Sequence, residues 1–128
     1  MVNKLKVLVC DDSVLIRKKV IAMLEKYKCE EIYEAENGNV AVEQVKVHEP
    51  DLILMDIVMP EKDGIEALKE IMKIKPEAKV VMVSSVGTSD LLKQSLSSGA
   101  CDFIQKPISL NAITDLVEKV LKEGAVNV

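Results

Sequence analysis

The sequence of 128 residues predicts a single α/β domain, in which a five-stranded parallel sheet is covered by helices on both faces. Short apolar runs of strand length alternate along the chain with longer segments whose apolar residues recur at helical spacing. The strand-like runs are nearly continuous in apolar residues, which is typical of parallel strands that are buried on both faces. A chain of this length is typical of one domain, so we assign residues 1–128 to a single domain.

Five segments have the composition of strands, and the second of them alternates in the manner of a strand nearer the edge of a sheet. Right-handed crossovers through the intervening helices would connect them into a doubly wound (βα)5 sheet. The predicted strands are residues 5–10, 31–35, 52–55, 79–83 and 103–105.

Five helices are predicted between and after these strands, the fourth of them at residues 89–98. Short polar side chains that accept a backbone hydrogen bond favour helix starts, whereas proline and glycine favour helix ends. The residues expected to begin or end helices are Asp12 or Ser13, Asn37, Pro50, Pro76, Gly99 and Ser109.

Composition excludes several classes of protein. A net charge of -4 argues against a nucleic-acid-binding surface, and we attribute the short basic run at residues 17–19 to a helix face. No apolar segment approaches the length of a membrane span, and residues 1–6 show no export signal. Cys10, Cys29 and Cys101 are widely spaced and form no CxxC motif, which favours reduced, buried thiols in a cytoplasmic protein.

Polar side chains follow four of the five predicted strands. Because ligands of a doubly wound sheet bind outside the carboxyl ends of its strands, we expect these side chains to share one edge. Three clustered carboxylates repel each other unless a cation is bound, and oxygen ligands without histidine or cysteine favour Mg²⁺. A carboxylate nucleophile, Mg²⁺, a lysine and a hydroxyl are what phosphoryl transfer requires. The residues are Asp11, Asp12, Asp56, Ser84 and Lys106.

Four motifs in order give the chain a resemblance to the receiver domains of two-component response regulators, and most to the free-standing chemotaxis regulators of the CheY type. The resemblance covers essentially the whole chain. The motifs are residues 9–13 (VCDDS), 55–60 (MDIVMP) followed by Asp63-Gly64, 82–85 (MVSS) and 103–107 (FIQKP).

The resemblance implies a flavodoxin-like strand order of 2-1-3-4-5 and a cis peptide bond before Pro107. It implies that Asp56 accepts a phosphoryl group from a histidine kinase, and that Ser84 and Lys106 contact that group. Asp11, Asp12, Asp56 and the backbone carbonyl of Val58 would bind Mg²⁺. Output would pass to a protein partner, in a chemotaxis protein the flagellar motor switch, through the face formed by the fourth helix, fifth strand and fifth helix.

Three positions depart from common family patterns. Val58 and Val86 are apolar where relatives often carry polar side chains along the path of the hydrolytic water, so we expect slow loss of the phosphoryl group. The departure at Phe103 is milder, since the family often has a tyrosine or another aromatic residue there that moves inward on activation. Phe103 can still rotate, but it offers no hydroxyl to a partner, and a purely structural role in the core is the alternative.

Other functions compete with the switch. A phosphorelay intermediate would pass its phosphoryl group to a histidine phosphotransfer protein, and an inert docking module would not be phosphorylated at all. A flavodoxin-like cofactor carrier would suffer repulsion between the cofactor phosphate and Asp11 and Asp12. A phosphatase with an aspartate nucleophile normally has a second carboxylate two residues later, where this chain has Val58. The single histidine, His48, is expected to be a surface residue.

Overall fold

Five strands and five α-helices alternate along the chain in this computed structural model, which describes residues 5–27, 29 and 31–126. Most of residues 1–6, for which no export signal is predicted, lies outside the described residues. The strands are β1 (Lys6–Cys10), β2 (Glu31–Ala35), β3 (Leu52–Asp56), β4 (Lys79–Ser84) and β5 (Asp102–Gln105). The helices are α1 (Val14–Leu24), α2 (Gly38–His48), α3 (Gly64–Ile74), α4 (Ser89–Ser97) and α5 (Leu110–Val126), and a short 3-10 helix (Glu25–Tyr27) follows α1.

The sheet is entirely parallel, with strand order β2-β1-β3-β4-β5, as the resemblance implied. Each predicted strand is found, with ends that differ by one residue at most. β3 and β4 extend one residue further than predicted, because Asp56 and Ser84 still lie within the pairing register of their neighbours. Asp56 and Ser84 are therefore the last residues of their strands and not the first residues of the following loops.

Alternate residues of each strand enter two separate hydrophobic cores, since successive side chains of a strand point to opposite faces. On β3, Ile53 and Met55 pack into the core that includes residues of α2 and α3. Leu52 and Leu54 pack into the core that includes residues of α1 and α5. All four side chains are buried, which accounts for the unbroken apolar run in the sequence.

The predicted helix boundaries are largely confirmed. Ser13 caps α1, since its hydroxyl accepts a hydrogen bond from the backbone N–H of Ile16, and Asn37 caps α2 through Val40. Ser109 accepts from the N–H of Ala112 at the start of α5. Gly99 follows α4 with a φ of 115°, a conformation that favours glycine over residues with a Cβ.

Among the described residues, no helix combines the length and apolar character that crossing a bilayer requires.

Candidate functional site

Asp56 is the last residue of β3 and lies at the carboxyl edge of the sheet. Because Asp56 directly follows the buried apolar residues of β3, the exposed fraction of Asp56 is only 6%. The backbone N–H of the next residue, Ile57, donates to the carbonyl of Val83 on β4 at 3.1 Å, which continues the ladder past Asp56. The carboxylate is therefore held by a rigid strand end.

Asp11 and Asp12 follow β1, the strand next to β3. The backbone N–H of Asp11 donates to the carbonyl of Ala35 at 3.0 Å and extends the pairing with β2 by one residue. Asp11 is buried, whereas Asp12 is exposed. One carboxylate oxygen from each of Asp11, Asp12 and Asp56 lies within 4.8 Å of the other two, so the structure brings the three predicted acids together.

Lys106 supplies a positive charge to this acidic cluster. Its backbone N–H donates to the carbonyl of Ser84 at 2.7 Å, which places it directly after β5. Its Nζ donates to Oδ2 of Asp11 at 2.7 Å and lies 3.3 Å from Oδ2 of Asp56. One ammonium group is thus shared by two buried carboxylates. The peptide bond between Lys106 and Pro107 is cis, as the resemblance implied.

The electrostatics of the cluster alter its protonation. Burial and the nearby charge of Asp11 raise the pKa of Asp56 to about 6, although Lys106 acts in the opposite direction. Burial by itself would lower the pKa of Lys106, but its hydrogen bond to Asp11 and the charge of Asp56 outweigh burial and raise that pKa. Near neutral pH the site therefore holds ionised carboxylates against their own repulsion, which is the condition that favours a bound cation.

Ser84 closes β4 and is buried. Its hydroxyl oxygen accepts a hydrogen bond from the backbone N–H of Val86 at 3.0 Å, so the hydroxyl proton remains available to donate. Val58 and Val86 are 71% and 47% exposed, respectively, so both positions departing from the family pattern face outward. Phe103 is half-buried on β5 and packs against the core that contains Met82.

The loop between β3 and α3 passes very close to the backbone of Asp56. The N–H of Gly64 donates to the carbonyl of Ile57 at 2.8 Å. A Cβ at Gly64 would lie 2.2 Å from the carbonyl oxygen of Asp56, which is far inside van der Waals contact. Only glycine fits here, and the sequence pair Asp63-Gly64 reflects this close approach as well as the start of α3, which Asp63 caps.

The sequence patterns did not identify Arg17 as a candidate functional residue. The basic run at residues 17–19 lies on α1, in agreement with its attribution to a helix face, but the Arg17 side chain is only 12% exposed. Its guanidinium Nη1 donates to the backbone carbonyl of Asp11 at 2.5 Å, and its Nε donates to Oε1 of Glu34 at 2.8 Å. The available signal was its position on the first turn of α1, because helical side chains lean back toward the helix N-terminus.

Two minor expectations require adjustment. His48 is half-buried instead of a simple surface residue, and its ring stacks on Tyr33 with centroids 3.8 Å apart. Of the three cysteines, only Cys10 is fully buried, while Cys29 is half-buried and Cys101 is exposed. Burial, followed by the charge on Asp11, raises the pKa of the Cys10 thiol well above its usual range. Cys10 is therefore an inert core residue despite its place beside the acidic cluster.

A doubly wound sheet whose carboxyl edge combines three aspartates, a serine and a lysine has the arrangement that the resemblance to receiver domains predicts. The comparisons with known proteins agree with this resemblance. The profile of the family described as the response regulator receiver domain matches residues 7–118. The chain belongs to this family, and it is a receiver domain of two-component signalling.

Several of the curated relatives are chemotaxis proteins. The chain is 41% identical to the chemotaxis protein CheY of Bacillus subtilis, over 91% of this chain and 97% of that protein. It is 40% identical to the chemotaxis protein CheY of Thermotoga maritima, over 91% of this chain and 98% of that protein. Among solved structures, the CheX–CheY–BeF3–Mg²⁺ complex of Borrelia burgdorferi matches with a TM-score of 0.86 and 35% identity, covering 91% of this chain and 88% of that chain.

Proposed function

We propose that this chain is a phosphorylation-dependent switch, in which Asp56 accepts a phosphoryl group from a histidine kinase. A carboxylate oxygen of Asp56 would attack the phosphorus, the P–N bond of the phosphohistidine would break, and the kinase imidazole would leave. The observation that carries this proposal is the sharing of Lys106 between Asp11 and Asp56 at the carboxyl edge. A catalytically inert docking module would have no need to hold buried like charges together.

The donor set fits Mg²⁺. Three carboxylate oxygens within 4.8 Å of each other, without histidine or cysteine among them, are hard ligands. Asp11, Asp12, Asp56 and the backbone carbonyl of Val58 would hold the ion. When bound, the cation would neutralise negative charge on the phosphoryl oxygens and reduce the repulsion within the acidic cluster.

Lys106 and Ser84 would serve the phosphoryl group through direct contacts. The Nζ of Lys106 already lies between two carboxylates, and an ammonium has three donor protons, so Lys106 can pair with a phosphoryl oxygen as well. The hydroxyl of Ser84 accepts one hydrogen bond from Val86 and keeps its own proton for donation. Catalysis of phosphoryl transfer is mainly positioning and charge stabilisation, which this arrangement provides.

The switch element would be residues 84–87 together with Phe103 and α4. Phe103 is only half-buried, and Leu92 and Leu96 of α4 are exposed, so this side of the domain offers apolar surface that a rearrangement can redistribute. Shifting such an equilibrium from 1:99 to 99:1 requires roughly 5.5 kcal/mol of differential interaction. A new doubly charged group paired with Lys106 in a partly enclosed site is a source for much of that energy.

The output would be a contact between the face of α4, β5 and α5 and a partner protein, and the partner would be the flagellar motor switch. This part of the proposal depends on the relatives, which are named chemotaxis proteins. The chain would act in the cytoplasm as a single receiver domain, with a receptor-coupled kinase as its phosphodonor. It would be no conventional enzyme, since it catalyses only its own phosphorylation and slow dephosphorylation.

The test is the intact mass of the protein after incubation with acetyl phosphate, with and without Mg²⁺. In this reaction the carboxylate of Asp56 attacks phosphorus and acetate leaves. We expect a gain of one phosphoryl group that requires Mg²⁺ and is abolished in Asp56→Asn. The matched control is Asp51→Asn, an exposed aspartate just before β3, which should label like wild type. Labelling of Asp56→Asn, or none in wild type beside a labelled known receiver, would contradict the proposal.

A further inference from the structure

Arg17 connects the strand β2 to the backbone of the acidic cluster. Its Nε donates to Oε1 of Glu34 on β2 at 2.8 Å, and its Nη1 donates to the carbonyl oxygen of Asp11 at 2.5 Å. The side chain is 12% exposed, whereas that of Glu34 is 47% exposed. The two bonds leave from different nitrogens of one planar guanidinium, so they fix its orientation as well as its position.

Asp11 is held at every one of its polar groups. Its N–H donates to the carbonyl of Ala35, and its carboxylate accepts from the N–H of Ser13 at 2.9 Å and from Nζ of Lys106 at 2.7 Å. The remaining polar group of Asp11, its backbone carbonyl, accepts a hydrogen bond from Nη1 of Arg17. That carbonyl is part of the peptide plane that joins Asp11 to Asp12 and therefore controls the direction in which the chain continues to Asp12.

Within the part of the chain that the structure describes, Asp12 has no set of hydrogen bonds like that of Asp11. It is the exposed member of the three acids, and Ser13 immediately after it caps α1. Its carboxylate lies within 4.8 Å of those of Asp11 and Asp56, although it belongs to a loop. The direction of the preceding peptide plane is therefore a main determinant of where the Asp12 carboxylate lies.

We propose that Arg17 is a positioning residue of this site: by fixing the Asp11–Asp12 peptide from β2, it sets the affinity of the three aspartates for Mg²⁺. The inference rests on the proposed function, in which these aspartates bind that ion. Among the described residues, the hydrogen bonds of the Arg17 side chain go to the Asp11 backbone and to Glu34, and neither goes to a carboxylate of the cluster. Groups that orient metal ligands typically change metal affinity by about 10- to 100-fold when they are replaced.

Positioning and simple charge give opposite expectations. A positive charge near three carboxylates opposes the binding of another cation, so loss of the Arg17 charge alone would tighten Mg²⁺ binding. Loss of positioning would weaken it. Arg17→Lys retains the charge but has a single nitrogen, which cannot reach Asp11 and Glu34 in the same fork geometry. Arg17→Gln removes the charge and the fork together.

The experiment measures the dissociation constant for Mg²⁺ by isothermal titration calorimetry on the unphosphorylated protein. We expect Arg17→Lys to bind Mg²⁺ about 10-fold more weakly than wild type. Arg17→Gln should also bind more weakly, despite its lost charge. Lys18→Gln is the matched control, because Lys18 is exposed on the same helix, and it should bind like wild type. Wild-type affinity in Arg17→Lys, or tighter binding in Arg17→Gln, would overturn the inference.

A second variant, Glu34→Ala, keeps the inference testable if Arg17→Lys does not fold. Glu34→Ala leaves Arg17 in place without its anchor on β2, and we expect it to weaken Mg²⁺ binding by less than Arg17→Lys does. If Arg17→Lys unfolds, an unchanged affinity in Glu34→Ala rejects the inference. The rate of labelling by acetyl phosphate adds a further readout: Arg17→Lys should approach the wild-type rate at saturating Mg²⁺. A rate that stays low at saturation would show that Arg17 acts by some other route.

The two levels of the proposal fail in different ways. If wild type neither binds Mg²⁺ nor gains a phosphoryl group at Asp56, the proposed function is rejected. If wild type does both and Arg17→Lys matches it, only the role of Arg17 is rejected.

Discussion

Replacement of Asp56 by asparagine should make the folded protein more stable, because the site holds this carboxylate in an unfavourable place. Asp56 is 6% exposed, and burial together with the charge of Asp11 raises its pKa from 3.8 to about 6. A shift of one unit corresponds to about 1.4 kcal/mol, so ionisation of Asp56 costs the folded state about 3 kcal/mol at pH 7.5. Asparagine has nearly the same shape and carries no charge.

The pH dependence has a definite sign. The folded state has the higher pKa, so it binds the proton more tightly than the unfolded state does. The stabilisation from a protonated Asp56 is therefore fully present below about pH 4 and is lost as the pH rises through about 6. Asp56→Asn should exceed wild type by about 3 kcal/mol at pH 7.5, and by much less at pH 4.5.

The assay is urea denaturation at the two pH values, with divalent cations removed by a chelator. Asp12→Asn is the control, because it removes the same charge from an exposed position and should change the free energy of unfolding by less than about 1 kcal/mol. Added Mg²⁺ should stabilise wild type more than Asp56→Asn, since a ligand stabilises the state that binds it. Equal stabilities of Asp56→Asn and Asp12→Asn at pH 7.5, or an equal gain at both pH values, would refute the reasoning.

Three further predictions concern residues outside the strands. Val58→Asn should speed the loss of the phosphoryl group, because it introduces a polar side chain at a position that is 71% exposed; decay curves followed by intact mass check this, and an unchanged rate would contradict it. Gly64→Ala should slow labelling of Asp56 and lower the free energy of unfolding by at least about 2 kcal/mol, since its Cβ would lie 2.2 Å from the Asp56 carbonyl oxygen. Parallel labelling and urea curves test both parts, and a fully stable, fast-labelling variant would reject the steric argument. Glu49→Gly should stabilise the protein by about 1 kcal/mol in a thermal melt, because Glu49 follows α2 with a φ of 48°; a lower melting temperature would contradict this.

The fold and the edge residues could be predicted because both depend on features that are local in the sequence. Apolar runs such as residues 52–55 mark strands that are buried on both faces. Parallel strands place all their carboxyl ends at one edge, so the polar residue after each run must lie at that edge. This rule predicts that Asp11, Asp56 and Lys106 lie close together, and the ion pairs of Lys106 agree with it.

The remaining features depend on three-dimensional contacts that no periodicity records. Asp11 and Asp12 are adjacent and chemically identical in sequence, yet only Asp11 is buried, since its N–H extends the pairing with β2. In the sequence, Arg17 looks like the exposed lysines that follow it. In the fold, its side chain donates hydrogen bonds to the backbone carbonyl of Asp11 and to Glu34 on β2, and these bonds hold it against the protein. Such contacts join residues that are distant in the chain, so their consequences become visible only when the strands are assembled.

The predicted instability of the site also bears on its function. A domain of this size has a free energy of unfolding of about 5–15 kcal/mol, so a carboxylate that costs about 3 kcal/mol uses a large share of it. An ion pair with a purely structural role would not require a second carboxylate, because Lys106 and Asp11 already pair with each other at 2.7 Å. The second buried carboxylate, Asp56, adds desolvation and repulsion with Asp11 that its contact with Lys106 does not fully offset. Perturbed groups of this kind are concentrated at functional sites, and in the proposed function Asp56 must be an ionised nucleophile beside a cation site. The stability of Asp56→Asn relative to wild type therefore measures how much the free energy of unfolding is lowered by keeping Asp56, the proposed phosphoacceptor, ionised.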